Sequence, residues 1–215
     1  MALTMTSPAA DTVILVAYDE TWPELFQEER AQLQARIGEW AADIQHVGST
    51  SIPGIAAKPI IDIAVHLRSL VDALKCIEPL VEFGYECLGE YGIPGRIYFR
   101  KLTDNPLPGQ AHGGVGRTHQ IHMYETRHDQ YEKQIIFRDY LRTHPEATRE
   151  YEALKRELAV RYSDIEDYAE AKSDFVRKVL DSARTSSSTS GVEETAALAP
   201  SPPSLHTKRG IPNQQ

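Results

Sequence analysis

A run of small and polar residues, 46–65, combines the residue types that bind an anion with one carboxylate. Gly48, Ser49 and Thr50 form a turn whose small side chains let backbone N–H groups approach an anion closely. Asp62 follows in an apolar run, where an ionised carboxylate is costly unless it is paired, bound to metal or open to a cleft. These residues predict a turn that delivers a negatively charged ligand to Asp62.

The side chains of a strand alternate between its two faces, so the position of Asp62 predicts its neighbours. Asp62 shares a face with Ile60 and Ala64. The opposite face is apolar and consists of Ile61, Ile63 and Val65. We therefore expect the carboxylate and these three side chains on opposite faces of one strand.

Short strands and amphipathic helices must position this stretch. Apolar periodicity predicts strands at 12–18, 43–47, around Asp62, and at 85–88, 96–101 and 119–125. It predicts helices at 21–40, 69–83, 128–142, 145–162 and 165–184. Residues 102–116 are rich in glycine, proline and polar residues, which predicts a long loop that is mobile or covers a site. The expected fold class is α/β (α+β), with a small mixed sheet, flanking helices and a helical C-terminal half.

Two details of the helices are also predicted. Capping boxes are expected at the starts of two helices, from Thr21 with Glu24 and from Ser163 with Glu166. In the helix 69–83 the apolar residues expected to face inward are Leu70, Val71, Leu74, Ile77 and Val81.

Composition limits the class of protein. The 215 residues are 41% hydrophobic, which is enough for one folded domain, and the formal net charge of −8 argues against bulk attraction to nucleic acid. We find no signal peptide and no apolar stretch long enough to span a membrane, so we expect a cytoplasmic protein without a membrane partner. The predicted domains are a flexible leader at 1–11, a folded domain at 12–184 and a disordered tail rich in serine, threonine and proline at 185–215.

Several distinctive blocks of the sequence resemble the GrpB family, which also occurs fused to dephospho-CoA kinase. The blocks are YDETWPELF (18–26), HVGSTSIPG (46–54), KPIIDI (58–63), GIPGR (92–96), YFRK (98–101), IH (121–122) and FRDYL (137–141). The resemblance covers about residues 12–184. The family is similar in fold to the nucleotidyltransferase superfamily, and this implies a nucleotidyltransferase-like core at 12–125.

That resemblance implies a pattern of catalytic groups. Nucleotidyltransferases grip the triphosphate at a Gly-Ser turn and hold two Mg²⁺ ions with an Asp-x-Asp or Asp-x-Glu pair and a third carboxylate on a later strand. Gly48, Ser49 and Asp62 match this pattern, but Ala64 stands at the second carboxylate position. One aspartate is a poor site for two cations that prefer oxygen ligands.

Two histidines are the candidate substitutes for the missing carboxylates. His122 lies on the strand that would carry the third carboxylate, and His46 directly precedes the turn. We predict a catalytic cluster of His46, Asp62 and His122, with Asp62 and His122 as ligands of a divalent metal. The resemblance implies Mg²⁺ or Mn²⁺ before Zn²⁺, although the histidines themselves suit Zn²⁺ or Mn²⁺ better than Mg²⁺. Metal-free acid–base chemistry, with Asp62 orienting a histidine, is the other interpretation of the same residues.

Basic residues around the turn predict a phosphorylated ligand, because arginine and lysine bind phosphate oxygens. The predicted ligand-binding set is Gly48, Ser49, Thr50, Lys58, Arg96, Arg100 and Arg117. In strand phase Arg96, Tyr98 and Arg100 share one face. Four residues of the C-terminal helices are weaker candidates for the same cleft: Arg138, Tyr140, Lys155 and Lys172.

Two functions follow from these residues. The first is a nucleotidyltransferase-like enzyme that acts on a nucleotide or another phosphorylated small molecule, and Asp62 with His122 favours it. The second is a non-catalytic domain that binds a nucleotide, a CoA-like ligand or an RNA end, and Ala64 favours it. We adopt the enzyme as the hypothesis to compare with the structure.

Overall fold

A five-stranded mixed sheet forms the centre of the protein. The structure is a computed structural model that describes residues 13–103, 107, 116–125 and 127–193. The strands are β1 Ala41–Val47, β2 Ile61–Leu67, β3 Tyr85–Cys87, β4 Arg96–Thr103 and β5 Gly116–Glu125. They lie in the order β1-β2-β5-β4-β3, and β2 and β5 are parallel whereas the other neighbouring pairs are antiparallel.

Helices surround this sheet and make up the C-terminal half. They are α1 Trp22–Ile37, α2 Leu70–Glu82, α3 Asp129–Thr143, α4 Pro145–Arg161, α5 Ile165–Glu170 and α6 Ser173–Glu193. The predicted α/β class, with a mixed sheet and a helical C-terminal half, is confirmed. The chain divides into two units, residues 1–183 and 184–215, and the structure describes the second only as the end of α6.

The two faces of the sheet differ, as the strand phase predicted. One face packs on α1 and α2, where Ile63 and Ile121 lie with Trp22 and Leu33 in the main hydrophobic cluster. Asp62 is on the other face. A second cluster, built from α3, α4, α6 and the segment after β1, lies apart from the main one; its buried members are Ile52, Ile55, Leu141, Tyr151 and Val179.

The predicted inward face of α2 is wrong except at Ile77, which packs against the main hydrophobic cluster. Val71 and Leu74 are each 67% exposed, and the residues that face the core are Ala73, Cys76 and Leu80. The helix carries two apolar stripes, and periodicity does not say which one packs. Small side chains at Ala73 and Cys76 let α2 lie close to its neighbours, so this stripe is the buried one.

The N-terminal predictions need correction. Residues 12–18 form no strand among those described, because Val16 makes only an isolated bridge with Ala57. The Thr21 side chain does not cap α1; its hydroxyl donates to Asp19 Oδ1 at 2.7 Å.

The predictions at the C-terminal end and in the long loop differ from the structure in other ways. The helix expected at 165–184 is two helices, α5 and α6, and α6 ends at Glu193. At the start of α5, Asp164 accepts the backbone N–H of Asp167, and the predicted pair of Ser163 with Glu166 stays a prediction because the Glu166 side chain lies outside the described ones. β4 and β5 extend into the predicted loop 102–116. The predicted leader 1–11, most of that loop, and the tail beyond 193 lie outside the described residues.

Among the residues that the structure describes, we find no helix that combines the length and the apolar character needed to cross a lipid bilayer.

Candidate functional site

The turn after β1 lies directly against Asp62. Gly48 has a φ of 68°, and the short 3-10 helix Ser49–Ser51 follows it. A Cβ atom at Gly48 would lie 2.3 Å from Asp62 Oδ2, so both the backbone conformation and the space require glycine. The structure therefore brings the predicted anion-binding turn and the predicted carboxylate together.

Two arginines of helix α3 hold this turn by donating hydrogen bonds to backbone carbonyl groups at its two ends. Arg142 donates to Ser51 O from Nε and from a terminal nitrogen, at 2.9 and 2.7 Å. Arg138 donates to His46 O at 2.8 Å, which explains why it does not line the cavities described below. The Ser51 hydroxyl donates to Gly48 O at 2.6 Å. These bonds fix the turn through its backbone carbonyl oxygens.

Asp62 lies beside two residues of the neighbouring parallel strand. Asp62 Oδ1 is 3.7 Å from His122 Nε2. Gln120 is the register partner of Asp62, and in the amide orientation that satisfies both of its ends its nitrogen donates to Asp62 Oδ1 at 3.0 Å. His122 and Gln120 therefore both point at one carboxylate oxygen, which holds the carboxylate in place.

The environment of His122 determines its tautomer. Arg96 lies 3.3 Å from His122 Nδ1, and a guanidinium can only donate hydrogen bonds. Nδ1 is therefore an acceptor, and the proton of the neutral ring is on Nε2, the nitrogen that faces Asp62. In this tautomer the protonated nitrogen of His122 is the one that lies 3.7 Å from Asp62 Oδ1.

The three predicted arginines do not line the cavities around Asp62. Arg96 is buried and donates to Glu90 O at 3.1 Å and to Tyr91 O, so its donors are already used. Arg100 donates to Glu86 Oε2 at 2.7 Å, and this bond raises the pKa of Arg100. Arg117 lies 3.1 Å from the Gln120 amide oxygen.

His46 is not part of the predicted cluster with Asp62 and His122. Its ring stacks on Phe26 at a centroid distance of 4.7 Å, on the face of the sheet that packs on α1. Its Nε2 lies 3.0 Å from Thr50 Oγ1, and that hydroxyl donates to Ile60 O at 3.1 Å. Burial lowers the pKa of His46 to about 4. His46 and Thr50 therefore support the turn from behind.

Two adjoining cavities meet at Asp62. The lysine cavity has a volume of about 160 Å³ and is lined by the Gly48 turn and by residues of α4 and the segment before α6. The His122 cavity has a volume of about 340 Å³ and lies between His122 and α3. The two cavities share four lining residues: Gly48, Asp62, Gln120 and Phe137. The carboxylate thus lies at their junction.

Three lysines line the smaller cavity: Lys58, Lys155 and Lys172. Lys155 is 1% exposed, and burial, followed by repulsion from Lys172, lowers its pKa to about 7. Burial, followed by repulsion from Lys58, lowers the pKa of Lys172 to about 8, and Asp62 acts in the opposite direction. Of the four weaker candidates on the C-terminal helices, the structure brings these two lysines to the site.

Sequence reasoning missed several residues of the site. Gln120 contacts Asp62 only because β2 and β5 are parallel and in this register. Tyr151 and Tyr168 both line the lysine cavity. No sequence pattern marks these tyrosines, because aromatic residues on helices are usually core residues.

The donor set does not by itself fit the predicted divalent metal centre. Asp62 and His122 offer one carboxylate and one imidazole, and the described residues contain no group of three histidine, cysteine, aspartate or glutamate side chains that could hold a metal ion. Mg²⁺ requires near-octahedral oxygen coordination. The metal remains a prediction.

Comparison with known proteins decides the family. The family model described as GrpB protein matches residues 12–182. The chain belongs to the GrpB family. It is 42% identical over 170 residues to the glutamate-rich protein GrpB of Alkalihalophilus pseudofirmus, covering 78% of this chain and 94% of that protein. It is 39% identical over 173 residues to YqkA of Bacillus subtilis, covering 80% of this chain but only 47% of YqkA.

A crystal structure of GrpB from Enterococcus faecalis has the same fold as this family member. It is 34% identical, covers 79% of this chain and 96% of its own, and has a TM-score of 0.68. A dephospho-CoA kinase of Mycolicibacterium paratuberculosis is 30% identical over 180 residues, which are 44% of that protein. A structure of the Cid1 poly(U) polymerase covers 62% of this chain and 41% of its own with 16% identity and a TM-score of 0.41, a similarity too low to support a functional argument.

Proposed function

We propose that this chain is a nucleotidyltransferase-like enzyme that acts on a nucleotide or another phosphorylated small molecule at the Gly48 turn. The observation that carries the proposal is the position of Asp62 against Gly48, at the junction of two cavities of which one is lined by three lysines. In an enzyme of this kind the turn binds phosphate oxygens and the carboxylate takes the proton of an acceptor hydroxyl.

The contacts around Asp62 support this role. Gln120 donates to Oδ1 of Asp62, and His122 Nε2 lies 3.7 Å from the same oxygen. We therefore assign Oδ2, which lies against Gly48, as the oxygen that takes the proton. Arg96 holds the His122 ring through Nδ1 and is a positioning residue.

The experiment measures pyrophosphate release from labelled ATP, CTP, GTP and UTP with Mg²⁺ or Mn²⁺. The proposal predicts release with at least one of them and a loss of at least about a hundredfold in Asp62→Asn, because a positioned general base contributes about 10²–10⁴-fold. Asp174→Asn is the matched control, because Asp174 lies on the surface of α6. Unchanged turnover in Asp62→Asn with unchanged circular dichroism would overturn the role of Asp62.

Ala64 favours the second candidate, a non-catalytic domain that binds a nucleotide, a CoA-like ligand or an RNA end. Ala64 is buried beside His122 in register, so no second carboxylate is available at that point of β2. This function predicts nucleotide binding that Asp62→Asn weakens, and no pyrophosphate release under any of the conditions above.

A further inference from the structure

The lysine cavity collects positive charge from three separate segments of the chain. Lys58 precedes β2, Lys155 lies on α4, and Lys172 lies between α5 and α6. The Nζ atom of Lys155 donates to Ala56 O and lies 4.9 Å above the Tyr151 ring, and that of Lys172 lies 4.1 Å above the Tyr168 ring. The fold therefore holds these ammonium groups close together despite their mutual repulsion.

An anion is the ligand that relieves this repulsion. Repulsion from Lys172 lowers the pKa of Lys155, and repulsion from Lys58 lowers the pKa of Lys172. Neighbouring lysines of the cavity therefore repel each other. Glu152 and Asp62 act in the opposite direction, but burial and the other cations dominate. A group with several negative charges, bound between the three lysines, favours the charged form of Lys155 and Lys172.

The size of the cavity restricts that anion. A volume of about 160 Å³ is below the roughly 300–1,000 Å³ of pockets that hold whole drug-sized ligands. The His122 cavity, at about 340 Å³, lies within that range, and it combines apolar walls from Val47, Phe137 and Val176 with the side chains of Gln130 and Gln134. One ligand can thus place a small anionic end among the lysines and its larger part beside His122.

The geometry points to a pyrophosphate subsite: we propose that Lys58, Lys155 and Lys172 bind the two distal phosphates of a nucleoside triphosphate whose reacting phosphorus lies at Asp62. This inference rests on the proposed function. An acceptor hydroxyl oxygen attacks that phosphorus, its proton passes to Asp62, and the P–O bond to the distal phosphates breaks. Pyrophosphate leaves with the bonding electron pair and remains between the lysines.

The tyrosines of the cavity fit this role. Burial raises the pKa of both Tyr151 and Tyr168, so their hydroxyl groups stay protonated. Tyr151 and Ser49 both line the lysine cavity, so the wall of the subsite includes part of the turn that contacts Asp62. The subsite and the reaction position are therefore parts of one continuous surface.

The test is calorimetric titration of the full chain with inorganic pyrophosphate, with Lys58→Gln and Lys172→Gln as variants. Each substitution should weaken binding about tenfold, because each removes one charge-assisted interaction with the anion. Lys75→Gln is the matched control, since Lys75 is exposed on α2 and pairs with Asp72. It should leave the affinity within about twofold of the parent.

Two outcomes separate this inference from the proposed function. If Asp62-dependent turnover is present but pyrophosphate neither binds nor inhibits, and both lysine variants behave as the parent, the subsite is wrong and the enzyme stands. If pyrophosphate binds and both lysine variants weaken it, but no triphosphate is turned over, the subsite stands and the enzyme is wrong. The two variants lie on different segments, so misfolding of one of them would not explain a loss of binding in both. Circular dichroism measures whether each variant is folded.

Discussion

At the scale of single residues, the contact between Gly48 and Asp62 is the feature that the sequence predicted best. A turn of small residues followed by a carboxylate in an apolar strand implied a close approach, and the two meet. The arginines were harder to place. Arg96 and Arg100 are on the predicted strand face, but their donors bind Glu90, Tyr91 and Glu86, and sequence does not show which partners lie within reach.

Gly48→Ala should destabilise the protein and displace the Asp62 carboxylate. The new Cβ would overlap Asp62 at 2.3 Å, in addition to the backbone strain of a φ of 68°. Gly54→Ala is the matched control, because Gly54 has a φ of 81° and no atom within 4 Å of the added Cβ. Strain alone costs about 1–3 kcal/mol of unfolding free energy in each variant.

Urea unfolding measures both variants. We expect Gly48→Ala to lose more unfolding free energy than Gly54→Ala and to lose pyrophosphate binding, which Gly54→Ala keeps. Equal losses of stability with equal affinities would show that the contact with Asp62 is unimportant.

At the scale of elements, strand phase was predictable and helix facing was not. The alternation along β2 and β5 placed Asp62 and His122 on one face correctly, because a strand has only two faces. Helix α2 has two apolar stripes, and the packing of the sheet, not the periodicity, decides between them. His46 lies apart from Asp62 and His122 for a related reason, since its ring is on the face of β1 that packs on α1.

Leucine truncations on α2 test which stripe is buried. Leu80→Ala should cost about 2–5 kcal/mol of unfolding free energy, because Leu80 is fully buried. Leu74→Ala should change it by less than about 0.5 kcal/mol, since Leu74 is largely exposed. Denaturant unfolding of both variants distinguishes the two stripes, and a larger loss in Leu74→Ala would restore the face predicted from sequence.

At the scale of the whole molecule, the lysine cavity depends on long-range folding. Lys58, Lys155 and Lys172 are far apart in the sequence. The sequence predicted Lys58 at the site but offered Lys155 and Lys172 only as weaker candidates, because helical lysines more often lie on a solvent face. The formal charge of −8 also hides a local cluster of buried positive charge. The mixed fold and the family, by contrast, follow from patterns spread along the chain.

Two buried histidines make the stability of the protein depend on pH. Burial lowers the pKa of His46 and of His119 to about 4, below the value near 6.5 of an unfolded chain. Between these values the unfolded state binds more protons, so stability falls as the pH drops from about 6.5 to 4, by about 3 kcal/mol for each histidine.

His46→Gln removes one of the two histidines that bind a proton in the unfolded state but not in the folded state. Its unfolding free energy should fall less steeply with decreasing pH over this range than that of the parent, as measured by urea unfolding at several pH values. The same slope in both proteins would contradict the assignment of His46 as a buried neutral ring.

A structure of the protein grown with ATP and Mn²⁺ tests the central claim most directly. We expect the distal phosphates between Lys58, Lys155 and Lys172, and the α-phosphorus beside the Asp62 carboxylate and the Gly48 turn. A nucleotide bound elsewhere on the molecule, with Asp62 and the lysine cavity making no contact to it, would contradict the account.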